Sequence, residues 1–498
     1  MASTLPDHPH SGSLAAGSPG AAPSAAGAAP LQHSRQERDG RVEVHGIDHI
    51  PESERRGRAR ELFAVWAAAS VNYLNLVVGG SLVLSGLSLW QAFAVVVVGN
   101  LFWLGTGLLA VSGPAAGAPS EVITRAMYGV RGNRVNNAVT GWMISVCYFA
   151  LNLSAAAVAA FSLAEQIGIT PDTPIKIAIV IAIVVLTLTI SVYGHAVIVR
   201  LYLPITLALA ASFAVVGYAI VRHADFGWAQ PEPLTGGGLW AAVLAGITLI
   251  ASGPLSYTTS ADFSRYLPAA TPPRAVLGWT ALGGFLPSLL VGGLGVLAAS
   301  AVDMTDPQAA LQRILPGWFS PVFLLSLVVG TIAVNALTAY SAGLALQAVG
   351  IRIRRTLSVL VDGTVAVALT LYALLVSNFL DTVSNVLQLT VVLLGPSTAI
   401  YATDILLRRN RYDGRALADE TPGSPFWYRA GTNPAGALAL AAGVTGSALC
   451  VDTLYTGPLA ALAGMDLALP AGMAVAAVVY ALLARSSATR RSVTRRSA

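Results

Sequence analysis

Charge is what this chain has least of. Of its 498 residues, only 11% are Asp, Glu, Lys or Arg, while 55% are hydrophobic; a soluble chain carries about 25% charge. Lysine is all but missing: the sole one, Lys176, sits in "DTPIKIA". A phosphate-binding P-loop needs Gly-Lys-Ser/Thr, so nucleotide hydrolysis of that kind is excluded. No His-Glu-x-x-His and no Gly-x-Ser-x-Gly occurs, which removes metalloprotease and nucleophile-elbow chemistry. No cofactor motif or metal ligand set is recognisable, so neither is expected, and an enzyme ranks behind a carrier and a channel. Cys147 and Cys450 both fall inside predicted helices; they read as small buried side chains, with no disulfide between them. Residues 1–40 are rich in Ala, Gly, Pro and Ser and lack the basic start and apolar core of a signal peptide. Residues 1–45 are therefore expected to form a disordered tail.

What the chain has instead is apolar runs long enough to cross a bilayer, which takes roughly 20 residues. Twelve segments are predicted, at 62–86, 90–111, 136–162, 175–192, 202–221, 238–261, 276–300, 318–347, 358–376, 383–406, 433–451 and 467–484. The stretch 454–466 is open, either loop or part of the last segment. Charge placement tests the count. With the N-terminus inside, 26 of the 29 basic residues fall in the two tails and the inner loops, leaving only Lys176, Arg222 and Arg313 outside. That asymmetry is the positive-inside rule, and it predicts an even number of spans with both termini cytoplasmic, in a cytoplasmic (inner) membrane. Because the basic residues are dispersed over separate loops, a nucleic-acid partner is not expected. The partners implied are membrane lipid and a small-molecule substrate, with no obligate protein partner.

Two segments are interrupted by polar and helix-breaking residues. In "ASGPLSYTTSADFSRYLP" (251–268), Ser252-Gly253-Pro254 stands where segment 6 should continue, followed by hydroxyl side chains. Pro254 removes an N–H and Gly253 permits close backbone approach. In segment 1, "SVNYLNLVVGGS" (70–81) places Asn72, Asn75 and Gly79-Gly80 within the span. A broken helix inside a bilayer is tolerated only where it lines a cavity or is buried in protein. Paired broken helices, five segments apart, are how carriers with inverted repeats build a central site. The plainer reading is that Gly and Pro are common in membrane helices and that Ser and Thr often bond only their own backbone.

Several stretches resemble the nucleobase–cation symporter family, in its purine/cytosine permease branch: "GIDHIPESERRGRARELFAVWAAASVN", "SGPAAGAPSEVITRAMYGVRGN", "SADFSRYLP", "YATDILLRRNRYDG" and "FWYRAGTNPAGALA". Together they span about residues 46–450, in the family's order. The resemblance implies an all-α integral membrane protein of twelve transmembrane helices, a five-plus-five inverted repeat (LeuT-type) with two additional C-terminal helices. Its parts would be repeat one at 46–221, repeat two at 222–410, a loop and helices 11–12 at 411–484, and a basic cytoplasmic tail at 485–498. It implies import of a nucleobase, cytosine or purine, driven by a cation gradient. Related heterocycles (hydantoin, allantoin, a vitamin precursor) remain as alternatives, and a channel or membrane sensor is the remote one.

The resemblance also carries residues. Trp142 matches the family's stacking tryptophan; the alternative for it is an interface-belt residue. Four positions on, where relatives often have an amide, this chain has Val146, with Asn152 further along. Gly253 stands where relatives often place an aromatic, and Tyr257, one turn later, is the candidate ring. Asn335 is the candidate base-reading amide of segment 8, unless it bridges helices. Ser252-Gly253 would offer backbone contacts, with Asn75, rather than Asn72, as a second amide. Sodium-coupled relatives carry adjacent hydroxyls where this chain has Val329 and Gly330, with Thr331 and Ser326 nearby, so protons are favoured over sodium. Asp262 and Arg265 are the candidate coupling or gating pair, the alternative being a plain salt bridge. Asp362 and Asp404 read as topology or gate residues.

Overall fold

The computed structural model describes residues 45–193, 195–351, 353–375, 379–452 and 455–496; the expected tail at 1–45 lies almost wholly outside them. Among the described residues the chain is helical, with two isolated β-bridges and no strand. Ten helices are long and apolar enough to cross a membrane, or eleven if the bent pair Glu61–Ser70 and Tyr73–Leu84 is one span. The pair is labelled α1 and α2. The others are α3 (Leu89–Ala116), α4 (Val130–Gln166), α5 (Thr173–Tyr193), α6 (Arg200–His223), α7 (Gly236–Leu255), α8 (Pro273–Ala301), α9 (Ser320–Ala348), α10 (Leu357–Leu375) and α11 (Asn385–Arg408). A shorter apolar helix, α12 (Pro434–Cys450), precedes α13 (Ala468–Arg485). Most of these bounds fall within a few residues of the predicted segments. The open stretch 454–466 holds a separate short helix, Pro458–Ala463, ended by Gly464 in the left-handed region.

The two expected interruptions exist but lie elsewhere. Segment 1 bends by 55° between Ser70 and Tyr73, at Val71-Asn72, and not at Gly79-Gly80. The two glycines sit inside α2, where a Cβ at Gly79 would run into the Gly292 carbonyl oxygen and one at Gly80 into Met304. Their lack of a side chain serves close packing of α2 on α8, as small residues do between membrane helices. Segment 6 runs through Gly253-Pro254 and ends at Leu255, six residues before the predicted end. Pro254 forfeits only its own N–H bond, and the helix runs one residue past it, with Ser256 N–H still reaching Ser252 O (3.0 Å) before the chain tightens. Ser256 N–H then reaches Gly253 O (3.1 Å), Tyr257 N–H reaches Pro254 O (3.2 Å) and Ser260 N–H reaches Tyr257 O (3.1 Å), a 3₁₀-like pattern. The chain turns helical again over Ala261–Ser264.

The loops counted as inner meet at one end. Arg265 donates to Gly46 O (2.7 Å), His49 contacts Ala116 O (3.0 Å), and Arg125 donates to Leu417 O (2.9 Å). Arg134 pairs with Glu420 (2.8 Å), and Arg408 donates to Ala126 O (3.3 Å). At the opposite end Gln166 donates to Ser320 (2.8 Å) and Gln308 to Ser162 (2.7 Å).

Candidate functional site

Both breaks open onto one cavity. Its lining from α1 and α2 includes Ser70, Asn72 and Asn75; α3 adds Asn100 and Trp103, and α4 adds Ser145, Tyr148 and Asn152. Gly253, Ser256, Tyr257 and Thr259 line it from the second break, with Ser288 from α8 and Thr338 and Ser341 from α9. Four amides and several hydroxyls thus converge within a largely apolar bundle, the usual make-up of a small-molecule site.

Each break is closed by a different chemistry. In the first, Asn72 caps α2 by accepting from Asn75 N–H (3.0 Å), while its own amide donates to Ala69 O (2.6 Å). Asn75 donates to Ser70 O (2.7 Å) and to Ser288 Oγ (3.3 Å). In the second, Ser252 and Ser256 return their hydroxyls to Leu249 O (2.6 Å) and Gly253 O (2.7 Å). Neighbouring helices supply the rest: Thr106 Oγ1 donates to Pro254 O (2.9 Å), and Tyr148 OH to Ser252 O (3.2 Å).

Of the residues expected from sequence, Asn72, Asn75, Gly253 and Tyr257 line the cavity. Ser252 is buried just behind it, its carbonyl accepting from two lining residues, Tyr148 OH (3.2 Å) and Ser256 N–H (3.0 Å). The ring of Tyr257 is stacked on Trp103 (centroids 5.5 Å apart, 26° between planes) and edged by Trp66 (5.0 Å). Trp142 stands away from the cavity lining. It lies in a π-helical stretch, Asn137–Met143, and its indole N–H donates to Asp362 Oδ1 at 2.6 Å. Asn335 is fully buried; it donates to Phe149 O (3.1 Å) and accepts from Asn152 (3.1 Å). It therefore orients Asn152, which does line the cavity. The helix amide that is absent at Val146 is present two turns on.

Asp262 and Arg265 are both fully buried at the far end of the second break. Asp262 accepts from Ser120 N–H (2.9 Å) and Ser341 Oγ (2.6 Å), and Arg265 donates to Gly46 O and to Tyr340 OH (3.0 Å). Asp404 ties α11 to α13, accepting from Tyr480 OH (2.6 Å), Tyr412 OH (2.9 Å) and Arg408.

Sequence reasoning passed over Asn100, Trp103, Tyr148 and Ser288. Asn100 was findable, because an amide within an apolar run is the same signal that singled out Asn72 and Asn75. Trp103 and Tyr148 were not, since an aromatic in a membrane helix is ordinary until a neighbour is known. Among the described residues, the buried indole N–H of Trp103 and the buried hydroxyl of Ser70, both on residues that line the cavity, have no hydrogen-bond partner. Among the described residues no group of His, Cys, Asp and Glu is arranged to hold a metal ion.

Comparisons with known proteins agree with this architecture. The chain is 26% identical over 472 residues to YxlA of Bacillus subtilis (strain 168), a protein whose name assigns it provisionally to the purine-cytosine permeases; the match covers 91% of this chain and 98% of that one. The fold is shared with Mhp1, a nucleobase-cation-symport-1 family transporter, in a closed conformation with bromovinylhydantoin bound. There the TM-score is 0.73 at 17% identity, over 89% of this chain and 96% of that one. It is shared more loosely with a Na⁺-coupled sialic acid symporter (TM-score 0.56, 11% identity, 87% and 91% covered). Residues 49–469 match the family described as permease for cytosine/purines, uracil, thiamine, allantoin, and the chain belongs to that family: it is a multi-pass membrane transporter and not an enzyme.

Proposed function

We propose that this protein is a secondary symporter that imports a nucleobase-type heterocycle across the cytoplasmic membrane, with both termini on the cytoplasmic side. The observation that carries the proposal is the cavity itself. Asn75 and Asn152 present amides of the kind that pair with the edge of a planar heterocycle, and the Trp103 indole N–H and Ser70 hydroxyl have no partner among the described residues. A polar ligand that satisfies such groups in a low-dielectric site gains strongly, and one that lacks the matching atoms is rejected. Asn72 is committed to its cap, so Asn75 is the better base-reading amide of the pair. Asn335 acts through Asn152. Trp142 joins the substrate only on release from Asp362; in the present arrangement Trp103 and Tyr257 are the nearest aromatic wall.

For the driving ion we propose protons. Position 330 on α9 faces the first break, where a Cβ would lie 3.4 Å from Val71 O, and glycine offers no side-chain oxygen there. The two hydroxyls nearby, Thr331 and Ser326, form no adjacent pair, and Ser326 is already engaged with Ser212 (2.9 Å) and Phe323 O (2.7 Å). Sodium prefers several oxygen ligands at once.

The test uses purified full-length protein in liposomes, with radiolabelled cytosine, adenine, hypoxanthine and uracil under a proton gradient and then a sodium gradient. Proton-driven uptake of one base, lost in Asn152→Ala, is the expected result. Sodium-driven uptake would overturn the coupling ion and keep the class. No uptake of any base would move the substrate to a hydantoin, allantoin or vitamin precursor.

A further inference from the structure

Glu121 lies outside the membrane spans, on the short helix Ser120–Ile123 between α3 and α4, and nothing in the substrate cavity uses it. It is 1% exposed, and among the described residues neither carboxyl oxygen meets a donor at hydrogen-bond geometry. A buried ionised carboxylate without a donor is costly enough that the group takes up a proton instead. What its carboxyl does have is a second carboxyl beside it: the N–H of Ser120, the residue before Glu121, donates to Asp262 Oδ1 (2.9 Å), which brings the two acids together. Two carboxylates cannot bond each other; a carboxylic acid and a carboxylate can.

The surroundings say which of the two is the acid. Asp262 already accepts from Ser120 N–H (2.9 Å) and Ser341 Oγ (2.6 Å), and these bonds favour its charged form. For Glu121, burial and then the Asp262 charge outweigh Arg265 and push the carboxyl well above the ordinary carboxylate range; burial raises Asp262 as well, against those bonds. The groups facing the pair from other elements are few. Arg265, from the same turn as Asp262, sits close enough to favour the negative charge on both. Tyr401 of α11 faces both carboxyls and bonds Ser112 Oγ at 2.7 Å.

We propose that Glu121 and Asp262 are a proton-sharing carboxyl pair, and that this pair takes up and returns the coupling proton of the transport cycle. The second half rests on the cation-coupled import proposed above; the first half does not. The pair is wired to the substrate site by one residue: Ser341 lines the cavity and donates to Asp262 Oδ2. A proton arriving in the cavity breaks its bond to water and forms one to the Ser341 hydroxyl oxygen. Ser341 in turn passes its own proton to Asp262 Oδ2, so the pair, which rests with one proton on Glu121, carries two until one is returned. The carboxyls belong to the connection after α3 and to the turn after the second break, so movement of either changes their separation and hence the proton's affinity.

Two measurements test this. The first needs no substrate: infrared difference spectra of the full-length protein in detergent, between neutral and alkaline pH, read the C=O stretch of protonated carboxyls. A band present in the wild type and missing in Glu121→Gln is expected, with Glu121→Asp restoring a shifted band and showing that the fold tolerates change there. A band unaltered in Glu121→Gln overturns the pair. The second follows labelled base in liposomes. One coupled proton sustains about tenfold accumulation per pH unit, since each 1.4 kcal/mol is tenfold. Glu121→Gln is expected to exchange base across the membrane yet accumulate none above equilibrium, whereas accumulation equal to wild type would place the coupling proton elsewhere. If the wild type transports no base, the functional reading fails while the infrared result still decides the pair.

Discussion

The two helix breaks that face the cavity are closed in opposite ways. The break between α1 and α2 is nearly self-contained: Asn72 and Asn75 bond the carbonyls of Ala69 and Ser70 and cap the helix that follows. The break after α7 is propped from outside, by Thr106 of α3 on Pro254 O and Tyr148 of α4 on Ser252 O, with Ser260 returning a bond to Thr106 O (2.9 Å). A self-closed break is a rigid part. A break held by three elements is one whose geometry changes when any of them moves, which is what alternating access requires of a site between moving bundles. The same contrast runs through the glycines, with Gly79 wedged against α8 and a Cβ at Gly253 facing open space.

The largest effect is expected where the rigid break is clamped. Gly79→Ala drives a methyl into the Gly292 carbonyl, and backbone cannot yield as a side chain can. Overpacking of this sort costs about 1–3 kcal/mol or more, so the variant should lose most of its monodisperse yield and melt well below the wild type. A normal melting profile would mean that α2 and α8 are not clamped at all. The carboxyl pair beyond the second break should give a pH-dependent effect. The folded state keeps a proton on Glu121 that the unfolded chain releases in the ordinary carboxylate range, so the folded state binds more protons in that window. Stability then falls as pH rises through it and stays low above the folded value. Melting curves across pH should show this slope in the wild type and a flatter one in Glu121→Gln.

Smaller effects separate the two breaks directly. Asn72→Ala removes a cap worth about 1 kcal/mol, and Thr106→Val leaves Pro254 O without its side-chain donor at a cost of about 1–2 kcal/mol. Because they serve different breaks, the two should add within about 0.5 kcal/mol, whereas Thr106→Val with Tyr148→Phe, which share one break, should couple by more. Coupling of the first pair would erase the distinction between a self-closed and a propped break.

These residues also mark how far the sequence could be read. Apolar length and arginine placement predicted the spans to within a few residues, because bilayer thickness and membrane potential act on composition, with no need of tertiary contacts. That two segments break was legible from Asn72, Gly253 and Pro254. Where they break was not, since the end of a helix depends on which donors its last carbonyls find, and here Thr106 on Pro254 O and Tyr148 on Ser252 O come from other helices. Trp142 illustrates the same limit at the site: its motif is local, but its direction depends on Asp362, 220 positions away. Glu121 was invisible for the same reason, an ordinary loop acid until Asp262 is placed beside it.

The smallest stability change should come with a selective change in transport. Gly253 lies in the last turn of α7 and lines the cavity, and a Cβ there meets open space. Alanine is the better helix former by about 0.8–1.0 kcal/mol, so Gly253→Ala should melt no lower than the wild type and somewhat higher. The added methyl would occupy the face on which a planar ligand must approach the backbone. Uptake measured against substrate concentration should then show a raised KM, since the methyl opposes binding before any helix moves. Glycine at 79 would thus be needed for the fold and glycine at 253 for the ligand. An unchanged KM in a well-folded Gly253→Ala protein would put the substrate on the α1–α2 side of the cavity, making the self-closed break the binding surface and the propped one purely a moving part.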